Sequence, residues 1–157
     1  MKKKDNIDGV IIKKLQKFID DRGWLIELFR HDETDKQYYP VMSYISQTLP
    51  GIARGPHEHA DQADYFCFFG PSNFKLYLWD NRHDSPTYMN KMVFIAGEEN
   101  PVSVIIPKGV AHAYKNVGEK PGIVFNAPNR LFAGEGKKEE VDEIRHEDDP
   151  NSPFVMD

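Results

Sequence analysis

The chain has 157 residues, the size of one domain with a single sizeable core. Its formal net charge of −5 gives no basic field of the kind that nucleic-acid-binding domains carry. A single cysteine, Cys67, excludes an intrachain disulfide, and no apolar run reaches the roughly 18 residues of a membrane span. We therefore expect one cytoplasmic domain over residues 1–157, with its core at about 18–130 and no nucleic-acid or membrane partner.

Short segments rich in β-branched and aromatic residues recur along the chain, between eleven glycines and eleven prolines. In chain order, the predicted strands are 24–30, 41–48, 64–70, 74–80, 91–97, 101–107 and 122–128. Seven or more strands at intervals of roughly ten residues predict an all-β sandwich or barrel, and a jelly roll before other forms. The polar segment that begins at Gly134 predicts a short helix or loop followed by an exposed tail.

Two histidines one residue apart, His57 and His59, follow an Arg-Gly pair in the stretch GIARGPHEHADQAD (51–64). Alternate residues of a strand face the same side, so both imidazoles would point one way and Glu58 the other. A third histidine, His112, follows the turn at 107–109. Since histidine serves as a base or as a neutral ligand near neutral pH, the three residues are candidates for proton transfer or for metal binding.

These two stretches resemble the two sequence motifs of the cupin superfamily. The first motif is matched by Gly51, His57, His59, Asp64 and Gly70, with aspartate in place of glutamate and one residue fewer before the last glycine. The second motif is matched without departure by Pro107, Gly109, His112 and Asn116. The resemblance implies a jelly-roll double-stranded β-helix with a short polar C-terminal segment. In metal cupins, the matching residues hold one divalent transition metal, which here would be bound by His57, His59, Asp64 and His112. The other interpretation is that these side chains hydrogen-bond inside a polar barrel without metal.

Four stretches in order resemble a narrower family, the dTDP-4-dehydrorhamnose 3,5-epimerases. They are DDRGWLIELF (20–29), GIARGPH (51–57), LWDNRHDSPTY (78–88) and IPKGVAHAY (106–114). This resemblance implies that His57 is the general base, which removes the proton alpha to the 4-keto group of a nucleotide-linked sugar. It also implies substrate binding by Arg54 and His112 and nucleotide contacts by Arg22 and Glu27.

Further expectations come with this resemblance. It implies a nucleotide-sugar substrate, a homodimer, no cofactor, and a β-strand rather than a helix within 11–19.

His59 is as suited to substrate binding as to a surface role. Arg82 is expected to hold a loop, Cys67 to be buried, and the acidic run 137–149, with His31, His83 and His146, to be solvated.

The chain also departs from the epimerase pattern. Phe125 stands where the family has a proton-donating tyrosine, and Asp64 stands where it has a lysine that steadies the enolate. The C-terminal segment with the family's histidine-orienting aspartate has no match. Tyr114 and Tyr65 are candidate replacement acids, and an enzyme without the usual tyrosine could epimerise one centre only.

Three alternatives to the epimerase therefore stay open. A sugar 3,4-ketoisomerase is favoured by the second histidine in RGPHEH. A metal-dependent cupin enzyme is favoured by the three histidines and Asp64. A non-catalytic nucleotide-sugar-binding cupin is favoured by Phe125 and the unmatched aspartate.

Overall fold

The computed structural model describes residues 6–157, which form an almost entirely β structure. The strands are β1 (Ile11–Lys14), β2 (Lys17–Asp20), β3 (Gly23–Ile26), β4 (Tyr44–Thr48), β5 (Ala53–Glu58), β6 (Asp64–Phe68), β7 (Asn73–Asp80), β8 (Lys91–Gly97), β9 (Val102–Ile106), β10 (Val110–Asn116), β11 (Gly122–Asn126) and β12 (Ile144–Arg145). Short 3-10 turns lie at His31–Glu33, Lys36–Tyr38, Glu135–Lys137 and His146–Asp148. Among the described residues, no helix is long and apolar enough to cross a membrane.

Two five-stranded antiparallel sheets make up the body of the fold. The first sheet has the order β1-β9-β6-β11-β4, and the second has the order β12-β5-β10-β7-β8. Strands β2 and β3 form a separate hairpin. The predicted jelly roll is confirmed, and segment 11–19 contains two strands rather than a helix, as the resemblance implied.

The main core fills the space between the two sheets. Side chains of β6 and β7, among them Phe66, Phe68, Phe74 and Leu78, meet there and are almost wholly buried. Every residue of β6 is buried because its alternate side chains, such as Tyr65 and Cys67, pack on the outer face of the first sheet. The buried position predicted for Cys67 is therefore confirmed.

Most of the C-terminal segment is exposed, as the sequence predicts, but parts of it pack on the second sheet. Strand β12 pairs with β5, and Phe154 packs on Trp79 with ring centroids 5.6 Å apart. Phe154 and Met156 cover the outer face of the second sheet. The sequence did not predict these packed parts, because the few apolar residues of this acidic segment are widely spaced and give no periodic signal of burial.

The predicted loop role of Arg82 is confirmed. Its guanidinium donates to buried Asp80, which also accepts hydrogen bonds from Ser85 and Thr87. Burial alone would raise the pKa of Asp80, but these hydrogen bonds lower it to about 2.

Candidate active site

A cavity of about 920 Å³ opens between the two sheets, beside the paired strands β5 and β10 of the second sheet. Arg54 and His57 of β5, and His59 directly after it, line the cavity together with residues of β4 and the C-terminal segment. Arg54 and His57 are three residues apart, which in a regular strand would place them on opposite faces. Because Arg54 pairs with Tyr114 and His57 pairs with His112, β5 carries one extra residue, and this bulge turns both side chains into the cavity.

Gly55 explains why an Arg-Gly pair precedes the histidine. Its φ is +87°, and a Cβ there would lie 2.5 Å from the carbonyl oxygen of His112. Only glycine suits both the positive φ and this close approach of β5 to β10. The bulge, and with it the direction of Arg54, therefore depends on Gly55.

The four residues of the cupin pattern converge at the cavity floor. One ligand-type atom from each of His57, His59, Asp64 and His112 lies within 4.8 Å of the others. The rings of His57 and His112 are 4.5 Å apart between centroids. The two histidine motifs and Asp64 thus lie at one place, as the resemblance to the cupin motifs implies.

His59 is held as a cation. Its Nδ1 contacts the carbonyl oxygen of Asp142, and its Nε2 lies 3.0 Å from Oδ2 of Asp64. Both partners only accept hydrogen bonds, so both ring nitrogens must carry protons. Burial alone would lower the pKa of His59, but the hydrogen bond and charge of Asp64 raise it to about 9.

Asp64 is buried and bonded on both oxygens. Oδ1 accepts from the side-chain amides of Gln62 and Asn126, each at 2.9 Å. Oδ2 faces Nε2 of His59, and also Nε2 of His112 at 3.1 Å. Burial alone would raise the pKa of Asp64, but the adjacent imidazoles of His112 and His59 keep it well below its usual range, so the carboxylate is charged.

The approach of His112 to Asp64 is close, but its angle is poor for a hydrogen bond. Nδ1 of His112 lies 2.9 Å from the carbonyl oxygen of Val110, to which it donates. Nε2 is buried without a well-aligned hydrogen-bond partner among the described residues, although Oδ2 of Asp64 is 3.1 Å away. Nε2 of His112 and Oδ2 of Asp64 therefore lie close together without a well-aligned hydrogen bond between them.

His57 is the neutral member of the group. Burial, followed by the proximity of His112, lowers its pKa to about 3. Its side chain is 15 % exposed, and Nδ1 lies 4.0 Å from Oε1 of Glu143. A ring that faces the cavity unprotonated at neutral pH can accept a proton, and Glu143 lies where its charge would stabilise the imidazolium that results.

The C-terminal segment supplies part of the site, and the sequence did not predict this. The carboxylate of Asp142 accepts hydrogen bonds from the backbone N–H groups of residues 60–62, and so fixes the loop after His59. On the outer face, His146 Nε2 lies 2.9 Å from Oε1 of buried Glu58. The prediction that His146 and the acidic run are solvated was therefore wrong at His146 and at Asp142.

The predicted binding residues fall into two groups. Arg54 lines the cavity, where Thr48 and the carbonyl oxygen of Gln47 hold its Nε and Nη2 at 2.9 and 2.7 Å. Arg22 lies on the β2–β3 hairpin, with 86 % of its side chain exposed and an ion pair to Asp20. Glu27 lines a smaller depression of about 300 Å³ outside the first sheet. Neither Arg22 nor Glu27 is among the described residues that line the main cavity.

The two tyrosines suggested as replacement acids differ in position. Tyr114 lines the cavity, whereas Tyr65 faces the outer side of the first sheet and donates to the carbonyl oxygen of Leu28 at 2.7 Å. Phe125 also packs on that outer side. The next residue, Asn126, occupies the inward position and reaches Asp64.

A jelly roll with three histidines and a carboxylate at the floor of its cavity is the arrangement of a cupin. The dTDP-4-dehydrorhamnose 3,5-epimerase family matches residues 4–148, and the chain belongs to this family. The resemblance drawn from the sequence is therefore confirmed, and the chain is an isomerase of the nucleotide-sugar epimerase type.

Similar proteins agree with this assignment. The spore coat polysaccharide biosynthesis protein SpsL of Bacillus subtilis is 43 % identical over 115 residues, 73 % of this chain and 75 % of that protein. The probable low-salt glycan biosynthesis epimerase Agl13 of Haloferax volcanii is 38 % identical over 137 residues, 86 % of each chain. The crystal structure of a dTDP sugar isomerase from Desulfovibrio desulfuricans G20 superposes with a TM-score of 0.81 at 21 % identity, covering 95 % of this chain and 91 % of that one, which shows the shared fold.

Proposed function

We propose that the chain epimerises a nucleotide-diphospho-4-keto-6-deoxy sugar at carbon 3, carbon 5 or both, with His57 as the general base. The observation that carries the proposal is the position of His57 on the cavity wall, with Arg54 in the same lining and the His59–Asp64 pair beside it. His57 takes the proton alpha to the keto group, and the negative charge moves to the keto oxygen as the enolate forms. Both N–H groups of His59 are already engaged, so His59 stabilises the enolate through its charge.

Arg54 is suited to the substrate's diphosphate. Thr48 and Gln47 orient its guanidinium, while its Nη1 has no hydrogen-bond partner among the described residues. A guanidinium fixed in this way binds phosphate oxygens with little loss of side-chain freedom. Substrate binding at His59, through its charge, and at His112 is part of the same proposal.

Solvent deuterium exchange tests the proposal. The wild-type protein is incubated with a dTDP-4-keto-6-deoxy sugar in D₂O, and deuterium at carbons 3 and 5 is followed by NMR. We expect exchange that falls by at least about 100-fold in His57→Asn, because proton transfer by a placed base contributes about 10²–10⁴-fold. His83→Asn, outside the cavity lining, is the matched control. Wild-type exchange no faster than that of His57→Asn at either carbon contradicts the proposal.

A second candidate function is a metal-dependent reaction at the same floor. It is favoured by the unpartnered Nε2 of His112, 3.1 Å from Asp64, within the four-residue cluster. Three imidazoles and a carboxylate fit a divalent transition metal, which would supply Lewis-acid polarisation of a bound carbonyl. The cofactor-free epimerase remains the leading proposal.

Metal analysis separates these two candidates. Protein purified without an affinity tag is analysed for transition metals, and its melting temperature is measured with added Zn²⁺, Mn²⁺ or Ni²⁺. The metal candidate requires near-stoichiometric metal and a rise in melting temperature that His112→Gln abolishes. Less than about a tenth of an equivalent, with no such rise, contradicts it.

We also propose that the chain forms a homodimer. The β2–β3 hairpin stands apart from both sheets and exposes Phe18, Ile19, Trp24 and Leu25, each by more than half. An isolated two-stranded hairpin is marginally stable in water, so a second copy of the chain is expected to cover it. Light scattering should give twice the chain mass, and a monomeric mass at micromolar concentration would contradict the dimer.

A further inference from the structure

The cavity has a base but lacks the family's proton-donating tyrosine, so another acid must complete an inversion. Inversion at carbon requires the returning proton to arrive on the face opposite the one deprotonated. His57 projects from β5 of the second sheet. An acid on the facing first sheet would therefore be correctly placed.

Two tyrosines line the cavity, and they lie on different sheets. Tyr114 lies on β10, which pairs directly with β5, so it projects from the same sheet as His57. Its ring is packed among Phe66, Phe68 and Phe74, and the residue is 5 % exposed. Tyr44 lies on β4 of the first sheet and is 45 % exposed. By position and access, Tyr44 is the cavity-lining tyrosine on the sheet opposite that of His57.

The hydrogen bonds of Asn126 determine the role of the Tyr44 hydroxyl. Oδ1 of Asn126 accepts from the backbone N–H of Tyr65 at 3.0 Å, so its Nδ2 must be the atom that faces Asp64 and Tyr44. Nδ2 donates to Asp64 at 2.9 Å and to the phenolic oxygen of Tyr44 at 3.0 Å. Since Asp64 accepts only, the amide cannot be reversed, and Tyr44 must act as the acceptor.

This arrangement leaves the O–H of Tyr44 free to donate. Among the described residues, the Tyr44 oxygen has Asn126 as its one hydrogen-bond partner. Tyr44 also pairs in register with Asn126 across β4 and β11, which holds the phenol on the cavity wall. Burial raises the pKa of Tyr44 to about 12, so the proton is present throughout the neutral range.

We propose that Tyr44 is the acid that protonates the enolate from the face opposite His57. This inference rests on the proposed epimerase function. His57 gains the alpha proton, and the C–H electron pair enters the enolate. The Tyr44 O–H bond then breaks, its proton joins the carbon, and the keto group re-forms. Solvent returns a proton to the Tyr44 phenolate and removes one from His57, which restores both residues.

The test compares exchange with inversion in Tyr44→Phe. We expect inverted product to form about 10²–10⁴-fold more slowly. Deuterium should still enter the uninverted sugar within about tenfold of the wild-type rate, because His57 can return a solvent-derived proton to its own face. Tyr38→Phe, which removes a hydroxyl outside the lining of the main cavity, is the matched control for loss of a phenol.

Each result has a distinct meaning. Normal inversion by Tyr44→Phe overturns the assignment of Tyr44, and so does loss of inversion in Tyr114→Phe with Tyr44→Phe unaffected. Loss of both exchange and inversion in a folded Tyr44→Phe that still binds dTDP also overturns the assignment. Tyr44 would then be needed for removal of the alpha proton, and not only for protonation of the enolate. Absence of exchange in the wild type contradicts the epimerase proposal itself.

Discussion

Oδ2 of Asp64 lies 3.0 Å from Nε2 of His59, and this pair forms the electrostatic centre of the cavity. Both side chains are largely withdrawn from water, with exposed fractions of 1 % and 11 %. The carboxylate keeps one imidazole charged, while His57 beside it stays neutral. One acidic side chain thus lets two neighbouring histidines hold different protonation states at the same pH.

Replacing Asp64 with asparagine should remove this difference. In Asp64→Asn we expect the pKa of His59 to fall from about 9, because the hydrogen bond and charge of Asp64 are the main contributions that oppose its burial. We also expect a loss of about 3–5 kcal/mol in unfolding free energy, as for other broken buried pairs. NMR titration of the ring and urea denaturation measure the two effects. An unchanged His59 pKa would show that Asp142, rather than Asp64, holds the charge.

The two histidines also predict how stability depends on pH. His57 has a folded pKa of about 3, so between pH 3 and 6.5 the unfolded chain binds its proton and the folded chain does not; stability therefore rises with pH. His59 has a folded pKa of about 9, so between pH 6.5 and 9 the folded chain keeps a proton that the unfolded chain loses; stability falls with pH.

Together these effects give a stability maximum near pH 6.5, with slopes of about 1.4 kcal/mol per pH unit for each proton. Urea denaturation at several pH values measures the curve. The acid-side slope should weaken in His57→Gln and the alkaline-side slope in His59→Gln. Identical slopes in wild type and both variants would contradict the assignment of protonation states.

We expect substitution of Arg54 to weaken nucleotide binding to a single chain, and substitution of Arg22 to leave it unchanged. Hydrogen bonds to charged groups contribute about 1.5–3 kcal/mol, so Arg54→Gln should weaken dTDP binding by about 10- to 150-fold in calorimetry. Arg54→Lys should recover only part of this, since it keeps the charge without the planar fork. Arg22 is exposed on the β2–β3 hairpin and does not line the cavity of its own chain. An effect of Arg22→Gln on the affinity for dTDP would therefore mean that the hairpin of a second copy of the chain reaches the cavity.

The contact of His146 with Glu58 on the outer face of the second sheet predicts that His146 contributes to the free energy of unfolding, although the sequence suggests a solvated residue. Glu58 is 5 % exposed, and its Oε1 accepts from Asn81 at 2.8 Å and from His146 at 2.9 Å. His146→Ala leaves this carboxylate with one donor, and we expect a loss of about 1–3 kcal/mol. His31→Ala, at an exposed site, should change stability by less than about 0.5 kcal/mol. Equal effects of the two variants would contradict a structural role for His146.

The sequence predicted the residues that belong to local motifs. Strand alternation predicted that His57 and His59 share a face, and the resemblance to the two cupin motifs joined them to Asp64 and His112; the structure brings the four together. The jelly roll followed from strand number and spacing in the same way. These features need no knowledge of which strands pair.

The sequence missed residues whose roles depend on pairing between distant strands. Tyr44 acquires its partner Asn126 from a strand 82 positions away, and Asp142 reaches the loop after His59 from a similar distance. A polar Asn126 at an inward position of an otherwise apolar strand was the one local signal of a buried network. Phe125 drew attention instead, because the resemblance placed the missing tyrosine there.

The return of the C-terminal segment to the floor of the cavity has a consequence for biosynthesis. Asp142 contacts His59 and the following loop across more than 80 residues of chain. While the polypeptide is being made, both sheets can begin to pair before that residue emerges. The ring of His59 lacks its carbonyl partner until then, so the hydrogen bonds that hold His59 are complete only after residue 142 has been synthesised.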